Sequence, residues 1–154
     1  MEPNSGWDLS IDDRNGQLAL VVEVKRKMNA SAEWAAKLRQ NILAHGTFPK
    51  APYFLMVFPD KLYLWSNADI YTNEGQPTYT IDASPILQPY FDRVGIPVDQ
   101  MSSDSLILVV MSWLAEILHA DQRPDSIDTT QKWLIESGLY DALAGGKFEH
   151  EAAA

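Results

Sequence analysis

The sequence predicts an α/β chain of the α+β kind, with a mixed central sheet, flanking helices and a helical C-terminal part. Three observations carry this. Residues 7–27, WDLSIDDRNGQLALVVEVKRK, hold two apolar runs around an Asn-Gly pair. Residues 53–58 and 61–65, YFLMVF and KLYLW, repeat that layout around Pro59-Asp60. From Asp82 onward, apolar residues recur at helical spacing.

Asn15-Gly16 is a strong hairpin signal, because a two-residue type I′ loop needs positive φ at both central positions. Such a loop pairs strands over 7–11 and 18–26 and opposes Asp8 to Glu23, Leu9 to Val22 and Ile11 to Leu20. Alternation then puts Leu9, Ile11, Leu20, Val22 and Val24 on one face. Asp8, Ser10, Ala19, Val21, Glu23 and Lys25 share the other. Like charges directly opposed across a hairpin are destabilising. A divalent cation between the two carboxylates would compensate them, since Mg²⁺ prefers oxygen ligands and often uses one or two carboxylates. The competing reading is a solvated salt bridge among Asp8, Glu23 and Lys25. The near-continuous apolar run 18–24 argues against it, because it suggests a strand covered on both faces, where unpaired charge is costly.

Asp8, fourteen intervening residues and then Glu23-Val24-Lys25 resemble the PD-(D/E)XK nuclease superfamily, the restriction-endonuclease-like fold. The resemblance spans roughly residues 7–65, including the helix-like SAEWAAKLRQNILAHG and the strand-like PYFLMVF. It implies that Asp8, Glu23 and the backbone carbonyl of Val24 hold Mg²⁺ or Mn²⁺. It implies that Lys25 orients the attacking water and stabilises charge on the phosphate, making Asp8, Glu23 and Lys25 the catalytic set. The implied activity is phosphodiester cleavage in nucleic acid. The alternative is a nuclease-like fold without catalysis, serving as a dimeric interaction or adaptor module. Trp7 stands where the family usually has Pro. The literal Pro59-Asp60 follows Glu23, in the wrong order, and reads as a hairpin turn. The family core is αβββαβ, and seven residues precede Asp8. Either the chain is shortened at its N-terminus, or the early helix and strand are expected to be replaced by later segments or by a partner chain.

Further elements follow in order. Residues 31–45 predict a helix, with Trp34, Leu38 and Ile42 on one stripe, Asn29 or Ser31 as its cap, and Gly46 as its stop. Gln40 and His45 read as an ordinary exposed residue and a partner of the helix C-terminus. Residues 78–81 predict a short strand and 84–94 a helix with Pro85 near its start. Residues 103–120 predict a core or interface helix, too short and interrupted for a membrane span. Residues 126–144 predict a final amphipathic helix, with Trp133, Tyr140 and Leu143 on one side and Gly145-Gly146 as its stop. One domain is expected over 1–154, divided into a sheet-rich core (1–81), a helical part (82–146) and a frayed tail (147–154). Glu149-His150-Glu151 in that tail is at most an adventitious metal binder.

Net charge is −9, unlike a typical phosphate-binding surface. It is unevenly spread: residues 1–50 hold seven Lys and Arg against six acids, and the remainder five against fifteen. The cations therefore concentrate in the third that carries the motif, with Lys25-Arg26-Lys27 beside it. The absence of cysteine excludes disulfides and thiolate metal sites and fits a reducing cytosol, so a cytoplasmic protein without membrane contact is expected. A homodimer is expected too, from the missing early elements and the apolar surface of residues 103–120.

Overall fold

The structure is a computed structural model and describes residues 7–45, 50–68, 75–119 and 129–149. The order is β1 (Leu9–Asp12), β2 (Leu18–Val24), α1 (Ala32–His45), β3 (Tyr53–Val57), β4 (Lys61–Ser66), β5 (Tyr79–Asp82), α2 (Ser84–Val94), α3 (Ser103–Leu118), α4 (Lys132–Glu136), α5 (Leu139–Leu143) and β6 (Lys147–Phe148). Six strands form one mixed sheet in the order β5-β4-β3-β2-β1-β6. β2 and β3 run parallel across the α1 crossover; the other neighbours are antiparallel. The α+β class and the mixed sheet with flanking helices are as the sequence predicts. No helix among the described residues is long and apolar enough to cross a membrane.

The first hairpin keeps its central register but not its loop. Leu9 pairs with Val22 and Ile11 with Leu20, as expected, whereas Asp12 pairs with Leu18. The loop has three residues, Arg14-Asn15-Gly16, not two. Gly16 N–H donates to the Asp13 carbonyl at 2.9 Å, and within the loop only Gly16 holds positive φ, at 83°. The reason is Asp13, whose Oδ1 accepts from the Asn15 and Gln17 amides at 2.9 and 3.0 Å. That side chain stabilises a type I turn followed by a left-handed glycine. The one-residue offset is absorbed by a bulge between Ile11 and Asp12. Ala19 is the extra residue, and it turns to the Leu20 side of the sheet, opposite to the face expected for it.

β2 is the buried strand the apolar run implied, with every residue from Ala19 to Val24 buried. One sheet face packs Leu20, Val22, Leu55 and Leu64 against α2, α3, α4 and α5 through Leu87, Leu114, Leu134 and Leu143. The opposite face packs Val21, Phe54, Met56, Tyr63 and Trp65 against α1. Small Ala35 and Ala36, both buried, let α1 settle onto those rings. The expected Trp34-Leu38-Ile42 stripe is therefore not the buried one; Trp34 is 40% exposed. Ser31 is the cap, accepting the Trp34 amide on its Oγ at 3.1 Å. Pro59-Asp60 is a turn, closed by Phe58 N–H donating to the Lys61 carbonyl at 2.8 Å.

Two expectations fail at the C-terminus. Within 126–144, the described part is a short 3₁₀ turn, α4 and α5, because Gly138 at φ 83° breaks the helix; residues 126–128 lie outside the described residues. Trp133, Tyr140 and Leu143 still bury into one core. The tail is also not frayed at its start. β6 pairs with β1 beyond Gly146, and Glu149 N–H donates to Ser10 O at 2.9 Å. Arg14 ties the hairpin loop to this end, donating Nε and Nη2 to the Ala144 carbonyl at 3.2 and 2.9 Å. A later segment thus occupies the outer edge of β1.

A Cβ on Gly146 would lie 2.1 Å from the Asp12 carbonyl oxygen, a backbone atom that cannot step aside. Gly146→Ala should therefore strip β6 from β1 and lower stability by about 3 kcal/mol, at the upper end of ordinary single-site effects. Urea midpoints check this. A shift below roughly 0.5 kcal/mol, the size of a neutral surface change, would show that the edge accommodates the methyl group.

Candidate active site

The site is built at the C-terminal ends of the two parallel strands. Glu23 is the penultimate residue of β2, level with Met56 of β3. It shares the Val21 side of the sheet, under α1, and is only 4% exposed. Lys25 follows on the same side as the chain leaves the sheet. Its amide still donates to the Val57 carbonyl at 2.9 Å, which fixes where its side chain starts. Its Nζ lies 3.2 Å from Glu23 Oε2, with the lysine side chain 38% exposed. The other carboxylate oxygen, Glu23 Oε1, is buried and has no hydrogen-bond partner.

Asp8 does not sit inside the strand as expected. It occupies a bend just before β1, where pairing is running out. Its amide donates to Val22 O at 3.0 Å, and its Oδ2 accepts the Val24 N–H at 2.7 Å. The carboxylate thus takes the place of the next ladder carbonyl and is locked against β2. An extended residue sends its N–H and C=O to the same side, so the Val24 carbonyl also points toward the Asp8 edge. Asp8, the Val24 carbonyl and Glu23 therefore lie at one end of β2, with Asp8 near enough for its charge to act on the Glu23 carboxyl and Lys25 paired to Glu23.

The electrostatics follow from this placement. Burial pushes the Glu23 carboxyl up to about 7; the Asp8 charge adds to the rise, and the Lys25 cation and its hydrogen bond oppose it. A desolvated carboxylate with an orphaned oxygen and an acidic neighbour calls for a positive partner beyond one half-exposed lysine. The donor set of two carboxylates and a carbonyl, all oxygen, fits a hard divalent cation completed by water. Among the described residues, no group of three or more His, Asp or Glu gathers as a metal cluster. Glu149 is engaged instead with Ser10, whose Oγ donates to its Oε1 at 2.7 Å; His150 and Glu151 lie outside the described residues.

Asp60 lies in the β3–β4 turn, and its Oδ1 is likewise buried without a hydrogen-bond partner. It holds the segment after β2, accepting Asn29 N–H on Oδ2 at 3.1 Å. Gln40 is exposed on α1. Sequence reasoning missed Arg39, which is 2% exposed, with its guanidinium 5.1 Å from the Phe54 ring centre and 5.2 Å from that of Trp65. Its Nε has no hydrogen-bond partner, and burial lowers its pKa to about 10. The only sequence signal was its place one turn after Ala35. Compared with protein-family models, curated proteins and solved structures, the chain finds no match.

Proposed function

We propose that this protein is a divalent-cation-dependent phosphodiesterase acting on nucleic acid, built on the PD-(D/E)XK plan. The observation that carries the reading is the buried, unpartnered Glu23 Oε1 beside a carboxylate, with a lysine 3.2 Å from the other oxygen. The topology supports it: the Asp-to-Glu hairpin is followed by α1 and a parallel β3, and β6 fills the position beside β1. Asp8, Glu23 and the Val24 carbonyl would hold Mg²⁺ or Mn²⁺. When bound, such a cation polarises a phosphate oxygen and acidifies a water. The chain's own contribution is positional. Val24 N–H keeps Asp8 in place, and Glu23 keeps Lys25 at the mouth of the site. The Lys25 ammonium then donates hydrogen bonds to the attacking water and to phosphoryl oxygens as their negative charge grows. Labelled DNA and RNA, incubated with Mg²⁺ or Mn²⁺ and separately with a chelator, test this. Wild type should cleave only with metal, and Glu23→Gln should not cleave. Equal cleavage by both would assign the activity to a contaminant.

A second reading is a non-catalytic interaction module. The Lys25–Glu23 ion pair and the absence of a third acidic or histidine ligand among the described residues favour it. A homodimer belongs to either reading. Val94 and Leu108, 45% and 62% exposed, line one surface hollow, and the outer edge of β5 has no strand partner among the described residues. Light scattering at micromolar concentration should give twice the chain mass; a monomer mass would remove the dimer from both readings.

A further inference from the structure

We propose that Trp34 is a stacking platform for an unpaired base, so that the substrate of this site is single-stranded nucleic acid; the inference rests on reading the Lys25 end of β2 as a phosphodiester site. Trp34 is one of the large apolar side chains left open, at 40% exposure. The ring is nonetheless held firmly. It meets Phe58 edge-on, with ring centres 6.0 Å apart at 69°, and its backbone is capped by Ser31. Asp60 pins the intervening turn through the Asn29 amide. A rigid, half-open indole is a poor hydrophobic-core residue and a good stacking surface.

Its position ties it to the candidate site. Phe58, on which the indole rests, directly follows Val57, whose carbonyl receives the Lys25 amide. Trp34 and Lys25 therefore sit at the same end of the same two strands, on the α1 side. The intervening segment supplies cations: Arg26 and Lys27 are exposed, and exposed Lys37 lies one turn beyond Trp34 on α1. The rest of the chain is strongly acidic. Lys25, Arg26, Lys27 and Lys37 form a small cluster at this end, enough to follow a few phosphates of a single strand but not a broad surface for tracking a duplex. A stacked base must also be unpaired and splayed out, which a duplex resists and a single strand does not.

Lys27 Nζ stands 4.9 Å from the centre of the Trp34 ring. A base would have to displace it. An exposed cation–π contact is worth about 0.5–1 kcal/mol, whereas stacking a base on an aromatic side chain is worth about 1–3 kcal/mol. The base wins that exchange, and the released Lys27 is free to meet the adjoining phosphate.

The test is anisotropy of labelled oligothymidylate, oligouridylate and a mixed-sequence duplex of equal length, with chelator present so that nothing is cleaved. Single strands should bind at least tenfold more tightly than the duplex. Trp34→Leu, which keeps apolar bulk but removes the ring, should weaken single-strand binding by roughly 5- to 100-fold. Trp34→Phe should retain most of the affinity, and unchanged thermal melting of both variants excludes misfolding. The two single-stranded probes decide between DNA and RNA. Equal affinity for strand and duplex, wild-type binding by Trp34→Leu, or no binding to any probe would overturn the proposal. Ring-dependent binding without any metal-dependent cleavage would leave the platform standing and remove the phosphodiesterase. Metal-dependent cleavage of single strands at the wild-type rate by Trp34→Leu would do the reverse.

Discussion

Lys25→Ala should lower metal-dependent cleavage by roughly a hundredfold or more, the usual loss when a preorganised donor to developing charge is removed. The fold should survive. The lysine side chain is 38% exposed, so its loss opens no core cavity, and the buried Glu23 carboxyl meets the loss of its cation by holding its proton more firmly. The effect should fall on turnover, not on cation affinity. Asp8, Glu23 and the Val24 carbonyl remain, and without the competing ammonium the carboxylates hold a divalent ion at least as well. Asp8→Asn should behave in the opposite way, since it removes an anionic ligand and weakens cation binding directly. Single-turnover rates and metal titrations on both variants separate the two roles. If Lys25→Ala cleaves at the wild-type rate, the lysine has no part in the chemistry.

Metal-free protein should lose stability as pH rises through the range set by Glu23. Burial and then Asp8 raise this carboxyl from 4.5 to about 7 in the folded state. Between those values the folded protein keeps a proton that the unfolded chain has released. Stability is therefore fully present below about pH 4.5 and falls as pH rises through 7. The contribution is on the order of 3 kcal/mol. Glu23→Gln cannot ionise and should lack this fall, so the difference between the two proteins isolates it from all other titrations. Saturating Mg²⁺ should abolish the fall in wild type, because the bound ion stabilises the anion. Parallel urea-stability profiles for wild type and Glu23→Gln between about pH 4.5 and 8 would mean that Glu23 is solvated in solution.

Much of this was legible in local chemistry. Residues 18–24 read as a doubly covered strand because they are almost uninterrupted in apolar character. Glu23 stood out because it broke that run. A cap at Asn29 or Ser31 and a turn at Pro59-Asp60 were readable from residue type alone, and the structure uses Ser31 for the cap. The hairpin loop was misread because Asn15-Gly16 is a stronger dipeptide signal than Asp13, whose side chain decides the loop length through two amides. The bulge at Ala19 repaired the register, so the pairing of Leu9 with Val22 was right although the turn was not. Asp8 was placed on a strand face, yet it sits in a bend, because nothing in WDLS signals where pairing stops. β6 was invisible: two residues carry no periodicity, and Phe148 finds Ile11 from the far end of the chain. Arg39 drew no sequence reading beyond its charge. It is buried because Ala35 and Ala36 lower the helix onto Phe54 and Trp65, a tertiary fit that no single segment encodes.

Calorimetric titration of Mn²⁺ into the metal-free protein asks whether Glu23 and Asp8 hold a cation without requiring turnover. Saturable binding is expected near neutral pH, lost in Glu23→Gln, weakened in Asp8→Asn and retained in Lys25→Ala. No heat of binding in wild type, or the same isotherm in all four proteins, would contradict it.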